Sequence, residues 1–473
     1  MISSKSLLYQ KIAGNIEQQI REEVWKVGDK LPSIRAICRE QGVSMSTAMQ
    51  AYLELERKAL IESRPQSGFY VSRSPLMRLG VPATSRPKKT ASDEQVTELI
   101  DRVYSHLGKK DLTQFSLGAP AKELLPIPKL NKAMLQAMRE MPDSGTGYEE
   151  IQGNLRLRQQ IARWSFAWGS QLGAGDLITT AGTMNALSFS LMAVTKPGDT
   201  IAVESPVYFG ILQLSRSLGL KVLEIPTHPI TGIELDALKK ELPKISCCLV
   251  VANFNNPLGS LMPDENKKAL VELMEKNNIP LIEDDLYGDV YFGDHRPASC
   301  KTYDKAGLVL WCGSVSKTLA PGYRVGWVAP GRFKEKLLRL KMLHAISSTS
   351  ITQEVVARFL ESGRYEHHLR KLRQTLHTNS LQYIRAIGDY FPDNTKVSKP
   401  DGGFVLWVEM DKKIDSAAMF DQLLKQSISI APGRMFSLQN QFNHCMRLSY
   451  GMLWNEALDR KLKLLGRTVR EFS

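Results

Sequence analysis

Apolar residues near the start of the chain recur at helical spacing. Tyr9, Ile12, Ala13, Ile16 and Ile20 fall three, one, three and four positions apart, which stacks them along one stripe of a helix. Gly28-Asp29-Lys30-Leu31-Pro32-Ser33 interrupts this pattern, and Ser33 stands where an N-cap opens a second helix carrying Ile34, Ile37 and Cys38. A tight turn at Gln41-Gly42-Val43 leads to a third helix capped by Ser44. Its Ala48, Ala51, Tyr52 and Leu55 face inward, and its Met45, Ser46, Thr47, Met49 and Gln50 face out. The period then changes. Leu60-Ile61-Glu62-Ser63 and Gly68-Phe69-Tyr70-Val71 are short β-prone runs bracketing Arg64-Pro65-Gln66-Ser67, which predicts a two-stranded wing with Arg64 near its tip.

From Gly118 onward, helical stretches alternate with short unbroken apolar runs at residues 177–180, 200–203, 248–251, 280–283 and 309–312. Strands that read as continuous apolar runs between helices predict an α/β domain built on a mostly parallel sheet covered on both faces. Between the two patterns, Pro75, Pro82 and Pro87 sit among Arg73, Arg78, Arg86, Lys88 and Lys89 with no acidic residue from Arg73 to Ala91. Prolines remove backbone donors and like charges repel, so this strip reads as a linker; a surface loop within one domain is the alternative. At 473 residues the chain has room for about three units of roughly 150 residues each. The division expected is a small N-terminal unit over 1–73, a basic linker over 74–110 and a body over 111–473, with a smaller α+β subdomain from about residue 340 onward. No repeat of fixed period interrupts it.

Composition narrows the classes. With 43% hydrophobic and 23% charged residues, a disordered or fibrous chain is excluded. The net charge of +13 points to contact with a polyanion. Residues 1–73 hold eleven Lys or Arg against eight Asp or Glu, so the ordered motif there, rather than bulk charge, carries any nucleic-acid reading. The six cysteines form no C-x-x-C pair and are too few in a chain this long for a disulfide framework, which suits a reducing cytoplasm. No apolar run approaches the ~20 residues a bilayer helix needs, and Met1 to Ser6 lead into no signal-peptide core. A soluble, intracellular protein without a membrane partner is expected.

Four motifs in the first unit resemble the DNA-binding domain of GntR-type bacterial regulators over about residues 5 to 73. They are L-P-S-x-R (Leu31 to Arg35), V-S-x-S-T (Val43 to Thr47), Ala51-Tyr52 and R-P-Q-S-G-F-Y-V (Arg64 to Val71). The resemblance implies a winged helix-turn-helix on double-stranded DNA, with Arg35 and Arg64 on phosphate or groove edges and Ser44, Ser46 and Thr47 entering the major groove. Hydroxyls and guanidinium groups suit the oxygen acceptors of the backbone and the mixed edges of the bases. On the pattern alone, a three-helix interaction module that touches no DNA stays open.

In open α/β sheets, sites lie just past the carboxyl ends of strands, and polar residues stand there after every predicted strand. Thr180 is followed by Ala181-Gly182-Thr183-Met184, opening a helix whose free N–H groups can cradle a phosphate. Val203 is followed by Glu204-Ser205-Pro206-Val207-Tyr208, whose ring can stack on a planar heterocycle or simply pack in the core. Val251 is followed by Asn253-Phe254-Asn255-Asn256-Pro257, and Ile282 by Glu283-Asp284-Asp285-Leu286-Tyr287. The paired aspartates raise a metal reading, but no His or Cys lies close enough in sequence to complete a ligand set, so none is expected. The most specific segment follows Cys312: S-x-S-K-x-x-x-P-G-x-R-x-G, from Ser314 to Gly326.

In the order Gly182-Thr183, Tyr208, Asn256, Asp284, Lys317, Arg324, the body resembles the fold type I aminotransferases, which use pyridoxal 5′-phosphate. By that resemblance Lys317 forms the internal aldimine with the cofactor aldehyde and Asp284 faces the pyridine nitrogen. Asn256 and Tyr287 donate to the ring hydroxyl oxygen, and Tyr208 stacks on the ring. Thr183, Met184, Ser314, Ser316 and Arg324 clamp the phosphate, Met184 by its backbone N–H alone. Tyr148 reaches the phosphate of a partner subunit, which implies a homodimer, and Arg447 pairs with a substrate carboxylate. His367-His368 reads as a solvated pair and Cys247-Cys248 as packing.

A GntR-like reader joined to an aminotransferase-like body is the layout of MocR-type transcription regulators, which this chain resembles along its length. The resemblance implies regulation by an amino compound, an amino acid or the vitamer itself. With Lys317, Asp284, Asn256 and Arg447 all present, a working aminotransferase carrying a DNA-binding appendage is the competing reading, and a scaffold that has lost the cofactor is a third.

Overall fold

The computed structural model describes residues 8–58, 60–64, 67–72, 79–90, 97–106, 109 and 111–473. The chain divides into two compact units, Met1–Gly80 with Leu381–Thr395, and Val81–Ser380 with Lys396–Ser473. In the first, the stripe of Tyr9, Ile12, Ala13 and Ile16 lies on α1 (Leu8–Arg21). It closes on Ile37 of α2 (Ile34–Gln41) and on Ala48, Ala51, Tyr52 and Leu55 of α3 (Met45–Arg57), with Leu31, Ile61 and Val71 completing the core. Burying each large aliphatic side chain of such a core contributes about 1.5–3 kcal/mol.

The caps are those the sequence predicts. Ser33 Oγ accepts from the Ala36 N–H at 3.1 Å, Ser44 Oγ accepts from the Thr47 N–H at 3.1 Å, and Gly42 ends α2 at a φ of 62°. The hydroxyl of the fully buried Tyr52 donates to the Pro32 carbonyl at 2.7 Å, tying α3 to the turn before α2. Strands β1 (Ile61–Arg64) and β2 (Gly68–Val71) pair antiparallel, Ile61 opposite Val71 and Arg64 opposite Gly68. Pro65 and Gln66 of the wing tip lie outside the described residues.

The second unit centres on an eight-stranded sheet. Its strands are β4 (Ile178–Thr180), β5 (Thr200–Ser205), β6 (Lys221–His228), β7 (Gly232–Ile233), β8 (Cys247–Val250), β9 (Leu281–Asp284), β10 (Val309–Ser314) and β11 (Gly326–Ala329), preceded in the chain by the short β3 (Thr113–Gln114). The spatial order is β4-β11-β10-β9-β8-β5-β6-β7, parallel except at β11 and β7. The expected α/β fold is therefore present, with strands the apolar runs did not single out. β6 carries Glu224 and Pro226, and β11 begins at Gly326, the last residue of the segment that holds Lys317.

The helices are α4 (Thr97–Tyr104), α5 (Ile127–Glu140), α6 (Leu155–Ser165), α7 (Thr183–Val194), α8 (Phe209–Ser217), α9 (Leu235–Glu241), α10 (Asp264–Lys276), α11 (Lys334–Ala345), α12 (Ser350–Glu361), α13 (Arg364–Tyr390), α14 (Ser416–Lys425) and α15 (Glu456–Glu471). α7 packs on β4, β9, β10 and β11, while Leu238 of α9 and Leu270, Val271 and Met274 of α10 join Ala202, Cys248, Val250 and Leu281 in a second core. Towards the C-terminus, β12 (Lys396–Val397), β13 (Val405–Glu409), β15 (Ala431–Pro432) and β16 (Cys445–Ser449) form an antiparallel sheet, and β14 (Ile428–Ser429) pairs with β3.

Arg73, Pro75 and Arg78 of the proline-rich strip lie outside the described residues. From Val81 the strip runs as a strap on the body. The Ala83 N–H donates to Glu409 at 2.9 Å, the Thr227 N–H donates to Ser85 Oγ at 2.9 Å, and the Lys88 N–H donates to Gln439 at 2.7 Å. The Ser85 N–H also donates to the Thr227 carbonyl at 3.3 Å, while the Ala83 and Lys88 N–H groups find their acceptors in side chains. The stretch read as linker also contains a helix, α4, whose Ile100 and Val103 are buried. No helix among the described residues is long and apolar enough to cross a membrane.

Candidate active site

The ends of β4, β9 and β10 converge on one cavity. Beyond β4 the chain turns at Gly182, with a φ of 85°, into α7. A Cβ at Gly182 would stand 2.2 Å from the Arg324 guanidinium, so only glycine leaves Arg324 its place. Arg324 is itself held in the left-handed region at a φ of 52°. It donates to the Ala181 carbonyl at 3.1 Å, the Pro321 carbonyl at 3.2 Å and Ser316 Oγ at 3.3 Å. Ser314 Oγ donates to Ser316 Oγ at 2.6 Å and accepts from its N–H at 2.9 Å. The first turn of α7 has no side-chain cap, and the buried Thr183 Oγ1 has no hydrogen-bond partner. Uncapped N–H groups, two serine hydroxyls and a guanidinium make an anion cradle.

Lys317 follows β10 and extends its Nζ to the Gly118 carbonyl. Burial, together with the charges of Arg447 and Arg324, outweighs the attraction of Asp284 and holds its ammonium down to about 8. A lysine so placed is neutral, and nucleophilic, far more often near neutral pH than a solvated one. Asp284 ends β9, opposite Cys312 of β10. It is 5% exposed, its Oδ1 has no partner, and burial and the neighbouring Asp285 push its carboxyl up to about 7. Asp285 makes different contacts: it accepts from Arg296 at 2.6 Å, Trp311 Nε1 at 2.8 Å and Asn253 at 2.9 Å. Of two adjacent acids, one is fully satisfied in the core and the other is left open at the cavity.

Asn256 Nδ2 donates to the Tyr287 hydroxyl at 3.1 Å, and Asn256 Oδ1 accepts from Arg447 at 3.1 Å. Arg447, on β16, is 2% exposed and donates also to the Ser116 carbonyl; its Nε has no partner. Its hydrogen-bond partners are both neutral, and burial lowers its pKa. A buried guanidinium without a carboxylate is a receptor for one. Tyr208 stands at the start of α8 with its ring against Phe209, centroids 4.6 Å apart, and also lines the cavity.

The structure thus brings together Thr183, Met184, Tyr208, Asn256, Asp284, Tyr287, Ser316, Lys317, Arg324 and Arg447, with Ser314 behind Ser316. Tyr148 is not among the lining residues and stands 86% exposed. Six lining residues escaped the sequence reading: Tyr104, Ser116, Leu117, Gly118, Val251 and Leu286. Tyr104 lies within the stretch read as linker, where Ile100 and Val103, three apart, were the available signal for a helix. The His367-His368 reading needs correction. His367 is exposed, but His368 is buried and its Nε2 lies 2.6 Å from the Thr318 carbonyl, one residue past Lys317. Cys247 and Cys248 are buried in β8.

In the first unit Arg35, Ser44 and Ser46 are exposed and Thr47 is half-buried at the start of α3, where Ser44 Oγ lies 2.8 Å from the hydroxyls of both Ser46 and Thr47. Arg64 is exposed on the wing but already engaged: Nε donates to Glu62 at 2.6 Å, and the guanidinium lies 4.1 Å from the centre of the Tyr70 ring.

Pyridoxal 5′-phosphate fits this donor set. The open carboxylate oxygen of Asp284 suits a protonated ring nitrogen, the α7 cradle suits the phosphate, and Lys317 supplies an amine for the aldehyde.

The family described as aminotransferase class I and II matches residues 110–462, and that described as bacterial regulatory proteins, gntR family, matches residues 8–71. The HTH-type transcriptional regulator YjiR of Escherichia coli K12 is 37% identical over 98% of this chain and 98% of its own. YdcR, an HTH-type transcriptional regulator of the same strain, is 34% identical over 98% of this chain and 99% of its own. A crystal structure of Pyrococcus horikoshii kynurenine aminotransferase in complex with PMP superimposes with a TM-score of 0.73 at 26% identity, covering 82% of this chain and 95% of that one. Class I and II aminotransferases are pyridoxal 5′-phosphate-dependent.

Proposed function

Because the chain belongs to the class I and II aminotransferase family and carries a gntR-family regulatory unit ahead of it, we propose that it is a MocR-type transcription regulator that holds pyridoxal 5′-phosphate on Lys317 and senses an amino compound. The full-length likeness to YjiR and YdcR supports the regulatory role. The single observation that carries the sensing role is the cavity itself: the Lys317 amine, the unpartnered carboxylate oxygen of Asp284 and the uncapped turn of α7 line one space. When bound, the cofactor supplies an aldehyde for amines and an electron-accepting ring.

Each residue then has a task its surroundings suit. Asp284 holds a proton on the ring nitrogen. Asn256 and Tyr287, already paired with each other, turn their donors to the ring hydroxyl oxygen. Ser316, Arg324 and the N–H groups of Thr183 and Met184 hold the phosphate, with Ser314 fixing Ser316. Tyr208 covers the ring, and Arg447 binds the carboxylate of an amino acid. Tyr148, exposed in the single chain, serves the phosphate of a second subunit, so the working unit is a homodimer in the cytoplasm. On DNA, Arg35 and Arg64 take phosphates and Ser44, Ser46 and Thr47 face the major groove. Arg64 must first yield its contact with Glu62. An effector shifts DNA binding only by the difference in its affinity for the two states of the protein.

Completeness of the Lys317, Asp284, Asn256 and Arg447 set favours a second reading, catalysis of transamination by the same cavity. One experiment separates them. The protein is loaded with cofactor and reduced with borohydride, its peptides are mapped, and its retention of genomic DNA fragments is measured with and without cofactor and amines. The regulator reading expects a pyridoxyl group on Lys317 and saturable, sequence-specific retention that changes with ligand and is lost in Arg35→Ala. Lysine labelling without specific retention, together with rapid turnover of an amino donor and a keto acceptor, overturns it in favour of the enzyme.

A further inference from the structure

Resting on that reading of the cavity, we propose that it selects an aromatic L-amino acid and that Tyr104 is the residue that closes on the ligand's side chain.

α4 is held by contacts with residues distant in sequence. Arg102 pairs with Asp421, the His106 ring takes up the Arg102 carbonyl at 2.7 Å and stands edge-on to Phe420, and Ile100 and Val103 are buried. The helix is clamped along one side. Tyr104 leaves it on another: its ring meets Phe209 edge-on with centroids 5.3 Å apart, and its hydroxyl lies 3.5 Å from that of Tyr208. It lines the cavity yet keeps 42% of its surface exposed. Tyr104 and Arg447 line the same cavity.

Charge decides the ligand class. The described cations that line the cavity are Lys317, Arg324 and Arg447. Each is committed: Lys317 to the aldehyde, Arg324 to the phosphate turn, Arg447 to the α-carboxylate. Asp284, the lining carboxylate, is committed to the ring nitrogen. A second charge on the ligand side chain finds no partner among the described lining residues and loses its water on entry, which disfavours acidic and basic amino acids alike. With Tyr208 committed to the cofactor ring, an aromatic side chain instead meets Tyr104 in the edge-to-face or offset contact that such rings prefer.

The test follows the absorbance of the cofactor-loaded full-length protein during titration with L-phenylalanine, L-alanine and L-glutamate, in the natural protein and in Tyr104→Ala and Tyr104→Phe. The natural protein is expected to half-saturate with phenylalanine at a concentration ~10-fold or more below that for glutamate. Tyr104→Ala raises the phenylalanine concentration ~10-fold while moving alanine less than ~3-fold, and Tyr104→Phe, which keeps the ring, restores the preference. Glutamate binding as tightly as phenylalanine overturns the inference, as does an equal loss for phenylalanine and alanine in Tyr104→Ala. A natural protein that takes up no cofactor on Lys317 overturns the cofactor reading and this inference with it. A loaded protein without the aromatic preference overturns this inference alone.

Discussion

Replacing Asp284 by asparagine removes a buried charge while keeping the side chain's shape, and its two consequences have opposite signs. In the ligand-free fold the Asp284 carboxyl is pushed from 3.8 up to about 7 by burial and the charge of Asp285. The folded chain therefore holds a proton that the unfolded chain has already released between these values, and stability falls as pH rises through that window. At about 1.4 kcal/mol per unit, the loss is about 4 kcal/mol over the whole window, roughly 2–3 kcal/mol of it between pH 5 and 8. The amide of the Asp284→Asn variant does not titrate and contributes no such slope. Urea unfolding of the cofactor-free proteins at pH 5 and pH 8 isolates this term, since the other groups titrate in both proteins and cancel to first order. The variant is expected to gain on the natural protein at pH 8. With pyridoxal 5′-phosphate added, the order reverses, because a charge-assisted bond to the ring nitrogen is lost and affinity drops on the order of 10²-fold or more. If both proteins lose the same stability from pH 5 to 8, Asp284 is not held protonated by its surroundings. If both bind cofactor equally, its open oxygen is not the partner of the ring nitrogen.

Two further outcomes follow from single contacts. Arg447→Gln keeps a donor near Asn256 and the Ser116 carbonyl but removes the charge. Amines that carry a carboxylate should bind the loaded protein at least ~30-fold more weakly by absorbance titration, while amines without one shift less than ~3-fold; equal shifts would show that Arg447 is structural. In the first unit, Tyr52→Phe loses the 2.7 Å bond to Pro32 and leaves that carbonyl unpaired, so thermal melting should report a loss of about 1 kcal/mol, with no change expected in any cofactor signal.

Much of this was legible because the chemistry stands directly after strands. A short apolar run announces a buried strand, and the polar residues just past it are those that can reach a cavity at the sheet's edge; Thr183, Asn256, Asp284 and Lys317 all follow that rule. The helices and wing of the first unit were legible from its caps and its period, and its GntR-like character from the four motifs between Leu31 and Val71. What escaped depended on contacts between distant segments. His367 and His368 share a charged stretch, and only the packing of α13 against the Lys317 segment decides that one ring is solvated and the other meets the Thr318 carbonyl. Tyr104 escaped because prolines and lysines dominate the strip before it, while the placing of α4 depends on Arg102 meeting Asp421 and His106 meeting Phe420. Nor does the sequence alone reveal which of Asp284 and Asp285 is satisfied, because Arg296, which neutralises Asp285, lies on a separate loop.

Three buried polar atoms around the cavity lack partners. Native proteins seldom bury an unpaired donor or acceptor, since each costs about 1–3 kcal/mol. Here the Asp284 Oδ1, the Thr183 Oγ1 and the Arg447 Nε are unpaired around a single space, at the three places where a ring nitrogen, a phosphate and a carboxylate are proposed to bind. Satisfying all three stabilises the loaded body against unfolding. The cofactor satisfies two of the three. Only a ligand bearing a carboxylate satisfies the third, so an amine without one leaves Arg447 as it stands in the empty protein. The loaded protein should therefore gain more in thermal melting from an amine that carries a carboxylate than from one that does not, and an equal gain would show that Arg447 is not the carboxylate's partner.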